Sequence, residues 1–298
     1  EEHPDWCIHI DGRIRSEARK QLILDLSRDE VCEAVIKMLT DVLKSAPISY
    51  VKWDMNRNMT EIGSTAWPAK KQKEIAHRYM LGLYKILENI TSNFPNILFE
   101  SCSGGGGRFD GGMLYYMPQT WTSDDTDAIE RLMIQEGTSL VYPTSSMGSH
   151  VSAVPNHQVH RITPLNTRGV VAMAGSFGYE LDVTKMNEEE KEEVKKQVEF
   201  YKNIRSTVQF GDLYRLKSSF DSNEAAWMNL SKDGKEVVVS YVKKYAEANV
   251  IPRRLKVKAL DENSLYEVIE TGEVFGGDEL MYIGLNIPEL YGDYVSKL

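Results

Sequence analysis

Residues 50–57 read YVKWDMNR, and the interpretation of the whole chain depends on this stretch. An apolar run typical of a β-strand ends in Asp54, with Lys52, Asn56 and Arg57 beside it. A buried charge without a partner is costly, so such a cluster is either solvated at a strand tip or retained for chemistry. The stretch therefore predicts a strand whose carboxyl end belongs to a functional site.

Strand-like runs alternate with helical ones up to about residue 206. The helical segments include residues 28–46, where apolar residues recur at three- and four-residue steps, and residues 68–93. The strand-like runs are QLILDLS (21–27), ISYVKWDM (48–55), ILFESCS (97–103), QTWTSDD (119–125), SLVYPTS (139–145) and VVAMAGSFG (170–178). Repeated β-α units predict a parallel sheet, but six strands are fewer than the eight of a closed (β/α)8 barrel. Either the sheet is open, or the chain is a piece of a longer one.

A different pattern follows the last predicted helix, which covers residues 188–209 and has a solvated Glu and Lys face. Short alternating runs come next: EAAWMNLS (224–231), KEVVVSYVK (235–243), RRLKVKAL (253–260), SLYEVIE (264–270) and LMYIGLNI (280–287). Turn signals separate them, which is typical of antiparallel strands. We therefore predict two domains, an α/β part over residues 1–206 and an antiparallel β domain over residues 207–298.

Composition and net charge limit the classes of binding partner. The chain has 298 residues, 42% of them hydrophobic, and a formal net charge of −9. An acidic surface disfavours nucleic acid and anionic membranes. The sequence has no run of eighteen apolar residues and no signal-like start, so it predicts neither a membrane span nor a leader. The widely spaced cysteines Cys7, Cys32 and Cys102 predict neither a disulfide framework nor a zinc site, and they favour a reducing, cytoplasmic location.

The carboxyl ends of the predicted strands carry many acids. Parallel sheets build their sites from the loops at these ends. The side chains there are Asp25, Asp54, Glu100, Cys102, Asp124, Asp125, His150, Tyr179, Glu180 and Asp182. Trp53 and Trp121 lie beside the acids. Carboxylates next to aromatic platforms suit glycosidic bond cleavage, in which one acid protonates the leaving oxygen and the other stabilises or attacks the sugar carbon.

Other chemistries fit these residues less well. The glycine run at 104–107 lacks both the Lys-Ser/Thr ending of a phosphate loop and the spacing of a dinucleotide fingerprint. No two histidines stand four residues apart with a glutamate between them, so a zinc site is disfavoured. A nucleophilic Cys102 would need a histidine partner that the sequence does not identify. We therefore interpret Cys102 as a buried residue or a ligand contact.

Four blocks carry a resemblance to a known family. They are YVKWDMNR, SCSGGGGRFDGGMLYYMPQTWTSDDTDAIERLMIQEGTSLVYP, MGSHVSAVPNHQVHRITPLNTRG and GSFGYELD. In this order and spacing they closely resemble the α-galactosidases of glycoside hydrolase family 36. The resemblance implies a retaining hydrolase that needs no cofactor or metal. It would release terminal α-linked galactose from oligosaccharides such as raffinose and melibiose, through a covalent galactosyl-enzyme.

The resemblance also assigns site residues. It implies Asp54 as nucleophile and Asp124 as acid/base, with Asp125 as second choice. Substrate contacts are implied at Arg19, Lys52, Asn56, Cys102, Gly105 and Trp121, although Arg19 is also compatible with a surface salt bridge. By our own reading, Lys52 shares a face with Asp54 and favours its ionised form. Asp127 and Glu130 form a D-x-x-E start to the next helix, which predicts a capping role for Asp127. Asp25 receives no role.

Family members are longer than this chain, which explains the low strand count. The resemblance implies a TIM-type barrel lacking its first two strands, with residues 21–27 as strand three, followed by an antiparallel β-sandwich. It further implies an oligosaccharide substrate and self-association of the full-length protein. Two alternatives stay open at this point: a non-catalytic sugar-binding fragment, and a related α-glycosidase such as an α-N-acetylgalactosaminidase.

Overall fold

Three parallel strands form the sheet of the first part of the chain. The computed structural model describes residues 2–249 and 252–298 and divides into two units, Glu1–Trp121 and Thr122–Leu298. The strands of the first unit are β1 (Tyr50–Asp54), β2 (Leu98–Cys102) and β3 (Gln119–Trp121). β1 pairs with β2, and β2 pairs with β3, both in parallel. The structure thus confirms strands at three of the predicted positions.

Helices of the first unit flank these strands along the chain. They are α1 (Asp29–Lys44), α2 (Ile75–Asn93) and α3 (Gly111–Tyr116), with a 3-10 helix at Ala69–Glu74 before α2. Acidic residues occupy the first turn of α1 and a lysine its last turn, as the helix dipole favours. The helices predicted over 28–46 and 68–93 are therefore confirmed, except that the second begins as a 3-10 helix.

The two faces of this sheet differ. On one face Val51, Trp53 and Phe99 contribute to the hydrophobic core, which includes the fully buried Ile86 and Ile90 of α2. Side chains alternate along a strand, so the neighbouring residues of β1 and β2 point to the opposite face. That opposite face is polar, and it carries the candidate functional residues.

The second unit begins with two further β-α repeats. Its elements up to residue 210 are α4 (Ala128–Ser139), β4 (Met147–Ser152), α5 (Leu165–Ala172), β5 (Ser176–Glu180) and α6 (Glu188–Phe210). β4 and β5 pair in parallel. Asn187 caps α6 and shares a reciprocal capping box with Glu190. The helix predicted over 188–209 is confirmed.

Antiparallel strands follow, as the sequence predicts. They are β6 (Asp212–Lys217), β7 (Glu224–Leu230), β8 (Val237–Lys243), β9 (Arg253–Leu255), β10 (Leu265–Val268), β11 (Glu273–Gly276), β12 (Leu285–Ile287) and β13 (Val295–Lys297), with α7 (Gly277–Tyr282) before β12. Four of them form a sheet in the order β13-β8-β7-β6, and the pairs β9/β12 and β10/β11 form two small sheets. Ala225 and Val242 of the larger sheet pack with Val170 of α5, and Met228 packs with Leu280. The exact domain boundary at residue 206 stays a prediction.

Residues 21–27 do not form the predicted strand. Their β-bridges are isolated antiparallel ones, between Cys7 and Leu24 and between Ala18 and Gln21. Ile23 is buried, but its neighbours Leu22 and Leu24 are exposed. A short apolar run does not by itself reveal whether a second strand lies beside it. Among the described residues, the parallel strands therefore number five rather than six.

Three other predicted strands are displaced. Residues 139–145 hold the end of α4 and the start of a 3-10 turn, and Val141 is 76% exposed; β4 starts only at Met147. Residues 170–178 begin inside α5, whose Val170 and Val171 are buried, and β5 starts at Ser176. Residues 280–287 start in α7. Short apolar runs are compatible with a buried helix as well as a strand, which explains these errors.

No helix in the described part of the chain is both long and apolar enough to span a membrane.

At Gly82, helix α2 packs closely against the backbone of Leu26. A Cβ at this position would lie 1.8 Å from the Leu26 carbonyl oxygen and 3.0 Å from the Cys32 sulfur. We expect Gly82→Ala to lower the free energy of unfolding by about 3 kcal/mol, because the contact is with backbone that cannot rotate away. Thermal unfolding followed by circular dichroism measures this. The control is Gly111→Ala, where a Cβ meets nothing within 4 Å and stability should not fall; equal losses would contradict the prediction.

Glu224 is a buried charge at the start of β7. It is 3% exposed, and it accepts hydrogen bonds from Tyr241 at 2.5 Å and from Lys217 and Arg253. Burial by itself would raise the pKa of this carboxyl, but the three donors lower it to about 2.

We expect Glu224→Gln to lose about 3 kcal/mol of unfolding free energy at pH 7, because the folded pKa lies well below the unfolded value. The carboxylate's contribution is fully present above about pH 4.5 and is lost as the pH falls towards 2. The difference between parent and variant in urea unfolding should therefore shrink between pH 5 and pH 3. The exposed Glu267, changed to Gln, serves as control. A difference that stays constant over this range would refute the assignment.

Candidate active site

The polar face of β1 and β2 carries matched pairs of functional side chains. In the parallel register Lys52 lies opposite Glu100, and Asp54 lies opposite Cys102. Because all four residues stand at every second position, their side chains share one face. Of the site residues predicted from sequence, this register brings Lys52, Asp54 and Cys102 together at the carboxyl end of the sheet, where α/β proteins place their sites.

Asp54 is exposed and is held by the residues that follow it. Asn56 Nδ2 donates to Asp54 Oδ2 at 2.5 Å, and Asn56 Oδ1 accepts from the amide of Gly104 at 2.9 Å. Asn56 therefore links the carboxylate of β1 to the glycine loop after β2. This arrangement fixes the carboxylate while leaving it accessible to a ligand.

Cys102 lies against Asp54 and is 2% exposed. Burial raises the pKa of its thiol to about 11, and the Asp54 carboxylate, which accepts a hydrogen bond from it, raises it too, although the Gly105 amide opposes this. The thiol therefore stays protonated at neutral pH and acts as a donor. Gly105 has φ 81 and Gly104 has φ 55, a backbone region in which glycine has no steric penalty. The loop can thus turn sharply beside the sulfur.

The Lys52 ammonium contacts two neighbouring side chains in the first unit, Glu100 and Trp121. Its Nζ lies 3.4 Å from Glu100 Oε1 and 4.6 Å from the centroid of the Trp121 ring. Trp121 is buried at the end of β3. An ammonium over an indole face is stabilised by the ring quadrupole, so Lys52 and Trp121 form one preorganised group.

Two arginines hold backbone segments of the first unit through hydrogen bonds to carbonyl groups. Arg108 donates from Nη2 to the carbonyls of Trp53 and Cys102, both at 3.1 Å, and so ties together the ends of β1 and β2. Burial lowers the pKa of Arg108. Arg57 is 5% exposed and donates to the carbonyls of Ser16 at 2.7 Å and Gln21 at 3.2 Å.

Arg57 thereby anchors a tight turn that carries Arg19. The amides and carbonyls of Ala18 and Gln21 bond to each other, and Arg19 and Lys20 between them have φ 53 and φ 57. Two successive positive φ values are typical of a type I′ turn. Arg19 is exposed on this turn, in the same unit as Asp54.

Three aspartates follow Trp121 in the second unit and have different surroundings. Asp124 is exposed. Asp125 accepts the amide of Asp127 at 3.0 Å, and its charge acts on the buried Arg131, whose pKa burial lowers to about 10. The Asp127 carboxylate accepts the amides of residues 129 and 130 and pairs with Arg161. The predicted capping role of Asp127 is therefore confirmed, and Asp124 is the most accessible of the three.

The remaining strand-end residues are engaged in local structure. Asp25 is 1% exposed and accepts hydrogen bonds from the hydroxyls of Ser27 at 2.5 Å and of Ser64. This gives Asp25 a structural role that the sequence does not assign. His150 Nδ1 lies 3.6 Å from Glu180 Oε2, at the ends of β4 and β5. Within residues 2–249 and 252–298, no three His, Cys, Asp or Glu side chains are grouped as a metal ion would require.

Sequence reasoning missed the roles of Glu100, Arg57 and Arg108. Glu100 stands two residues before Cys102, so the period of a strand could have placed it on the site face. The partners of Arg57 and Arg108 are backbone carbonyls, which leave no signal in side-chain patterns.

Comparison with known families covers most of the chain. The family model of melibiase matches residues 1–211, and that of the glycosyl hydrolase family 36 C-terminal domain matches residues 224–298. The α-galactosidase AgaA of Geobacillus stearothermophilus is 62% identical over 296 residues, which cover 99% of this chain and 40% of the relative. The α-galactosidase Mel36A of Lactobacillus acidophilus is 52% identical over 297 residues, covering 100% of this chain and 40% of the relative.

Solved structures agree with these matches. A crystal structure of an AgaA variant in complex with raffinose superposes with a TM-score of 0.97 at 61% identity, over 99% of this chain and 41% of that chain. A second AgaA variant, in complex with stachyose, gives the same values. The chain thus spans about two fifths of the length of the relatives it matches. The matches confirm the resemblance seen in the sequence: the chain belongs to glycoside hydrolase family 36, the melibiase family, and carries that family's C-terminal domain.

Proposed function

We propose that this chain is the catalytic portion of an α-galactosidase that hydrolyses terminal α-D-galactosyl residues with retention of configuration. The observation that carries the proposal is the exposed Asp54 carboxylate, held by Asn56 at the end of β1 beside Lys52 and Cys102. Relatives named α-galactosidases support the choice of sugar, since two of their structures contain raffinose and stachyose.

In the proposed reaction Asp54 attacks the anomeric carbon of the galactosyl unit. The bond from that carbon to the leaving oxygen breaks, and Asp124 gives this oxygen a proton. Water then attacks the resulting galactosyl-enzyme ester, while Asp124 takes the proton back and Asp54 leaves as a carboxylate. Two displacements at one carbon restore the original configuration.

The neighbouring residues bind and orient the sugar in this scheme. Lys52 and Asn56 donate hydrogen bonds to galactose hydroxyls. In this scheme Trp121 borders the site beneath Lys52, and the protonated Cys102 and the Gly105 loop lie next to the sugar ring. Arg19 reaches the substrate from its turn.

Chain spacing supports the two acids. Each of the AgaA variants crystallised with raffinose and stachyose carries a substitution of an aspartate, a different one in each crystal. These two aspartates are separated along the AgaA chain by the same number of residues as Asp54 and Asp124 in this one. We read this as support for the pair Asp54 and Asp124.

The full-length protein, in this proposal, forms a closed eight-stranded barrel followed by an antiparallel β-sandwich. The described residues hold five parallel strands, so a barrel would need three more strands from outside this chain. That is one strand more than the sequence suggested, because residues 21–27 are not a strand. We also propose a cytoplasmic location and self-association; the three free, buried thiols are compatible with a reducing compartment.

Replacement of the nucleophile should abolish turnover. In the full-length enzyme we expect Asp54→Ala to lose at least about 10³-fold in kcat on nitrophenyl α-galactoside, because no covalent intermediate forms. Proton NMR of the parent reaction should show α-galactose as the first product. A first product with the β configuration would point to inversion, and an active Asp54→Ala variant would refute the assignment. A folded parent without activity would favour a non-catalytic sugar-binding role.

The acid/base assignment predicts a dependence on the leaving group. We expect Asp124→Ala to lower the rate on raffinose by about 10²–10⁴-fold, because a poor leaving group needs the proton. The loss on nitrophenyl galactoside, whose phenolate leaves unprotonated, should be much smaller in the galactosylation step. The matched variant is Asp125→Ala, measured on both substrates. If Asp124→Ala lowers the rates on both substrates equally, Asp124 is not the acid/base, and Asp125 becomes the candidate for that role.

A further inference from the structure

Glu100 is a buried carboxylate on the site face that the proposed reaction does not use. It is 1% exposed and lies in register with Lys52. Its Oε2 accepts hydrogen bonds from the Tyr50 hydroxyl and from Gln119 Nε2, the latter at 2.8 Å. Its Oε1 lies 3.4 Å from Lys52 Nζ. One oxygen is therefore held by neutral donors, and the other faces the ammonium.

Glu100 is the hydrogen-bond acceptor of this network, and Tyr50 and Gln119 are its donors. Burial and the hydrogen bond to Glu100 raise the pKa of Tyr50, so the phenol keeps its proton and remains a donor. Gln119 donates through its amide. A carboxylate out of water is costly unless a cation and hydrogen bonds compensate it. Lys52 is the cation that lies against it.

Lys52 is in turn restricted by Glu100. A lysine side chain has a long, flexible stem and a point charge, so one contact does not fix its nitrogen. Here the nitrogen has two contacts, Glu100 Oε1 on one side and the Trp121 ring at 4.6 Å on another. Together they hold the ammonium on the face that also carries Asp54.

We propose that Glu100 is a positioning residue of the sugar site, whose carboxylate holds the Lys52 ammonium over Trp121, with its N–H donors directed at substrate hydroxyls beside Asp54. Glu100 itself touches no substrate and acts through Lys52. The proposal rests on the proposed function. It differs from a purely structural role, in which Glu100 would only stabilise the pairing of β1, β2 and β3.

A double-mutant cycle in the full-length enzyme separates these roles. The variants are Glu100→Gln, Lys52→Met and the double variant, each measured for kcat and KM on nitrophenyl α-galactoside and for melting temperature. Gln keeps the size of Glu100 and an acceptor for Tyr50 and Gln119, so it removes chiefly the charge.

We expect Glu100→Gln to lower kcat/KM by about 30-fold, mainly through a higher KM, because the lysine nitrogen loses its fixed position. Lys52→Met should lower it at least as far. The double variant should stay within about threefold of Lys52→Met, since Glu100 has nothing left to position. Losses that multiply in the double variant, or a Glu100→Gln enzyme within twofold of the parent, would overturn the proposal.

The double variant keeps the proposal testable even if Glu100→Gln alone folds poorly. It replaces the ion pair of Glu100 and Lys52 with two neutral groups and leaves no unpaired charge. Its comparison with Lys52→Met then carries the test: equal rates support the proposal, and a further tenfold loss overturns it. Ser101→Ala is the matched control, because Ser101 is equally buried in β2 but points to the opposite face; its kcat/KM should stay within twofold of the parent.

Asp54→Ala, run in parallel, distinguishes the two proposals. If the parent is active, Asp54→Ala is inactive, and the losses of Glu100→Gln and Lys52→Met multiply in the double variant, the proposed function stands and the role of Glu100 is overturned. A parent inactive on α-galactosides would overturn both.

Discussion

The parallel register of β1 and β2 is the constraint on which the candidate site depends. It sets Lys52 opposite Glu100 and Asp54 opposite Cys102. Because the strand period is two, Trp53 and Ser101 between them point to the core side, and all four of these side chains point the other way. A slip of β1 by one residue would turn Lys52 and Asp54 towards the hydrophobic core and Trp53 away from it. The hydrogen bonds between β1 and β2 therefore also bring the residues of the candidate site together.

Buried charge is compensated in the same manner at several places. Glu100 has Lys52, Tyr50 and Gln119 around it, and Glu224 has three donors of its own. Arg57 and Arg108 bond to backbone carbonyls. Such groups are tolerated in a protein interior only when their hydrogen-bonding capacity is used. In the first unit, Glu100, Arg57 and Arg108 hold strand ends and a turn in this way, while the Asp54 carboxylate stays accessible.

Much of the fold was predictable from periodicity, and the errors have a common cause. The amphipathic pattern of α1 led to a correct prediction, because that helix packs one face on the core, and the apolar run that ends in Asp54 was also correctly predicted as a strand. The runs at 21–27, 139–145 and 170–178 are short and apolar without a period, and the structure shows loop, turn and helix there. Whether such a run becomes strand or helix depends on its neighbours in space.

The sequence by itself determined the family, the strand that ends in Asp54 and the cap at Asp127, since these depend on local motifs and local hydrogen bonds. Only the tertiary structure decided which of these residues act on one another. It joined Lys52 to Glu100 and Trp121, linked Asn56 to the Gly104 loop, and placed Arg57 under the turn of Arg19. Those partners lie between about 35 and 70 residues apart in the chain, so only the tertiary fold of the first unit brings them into contact.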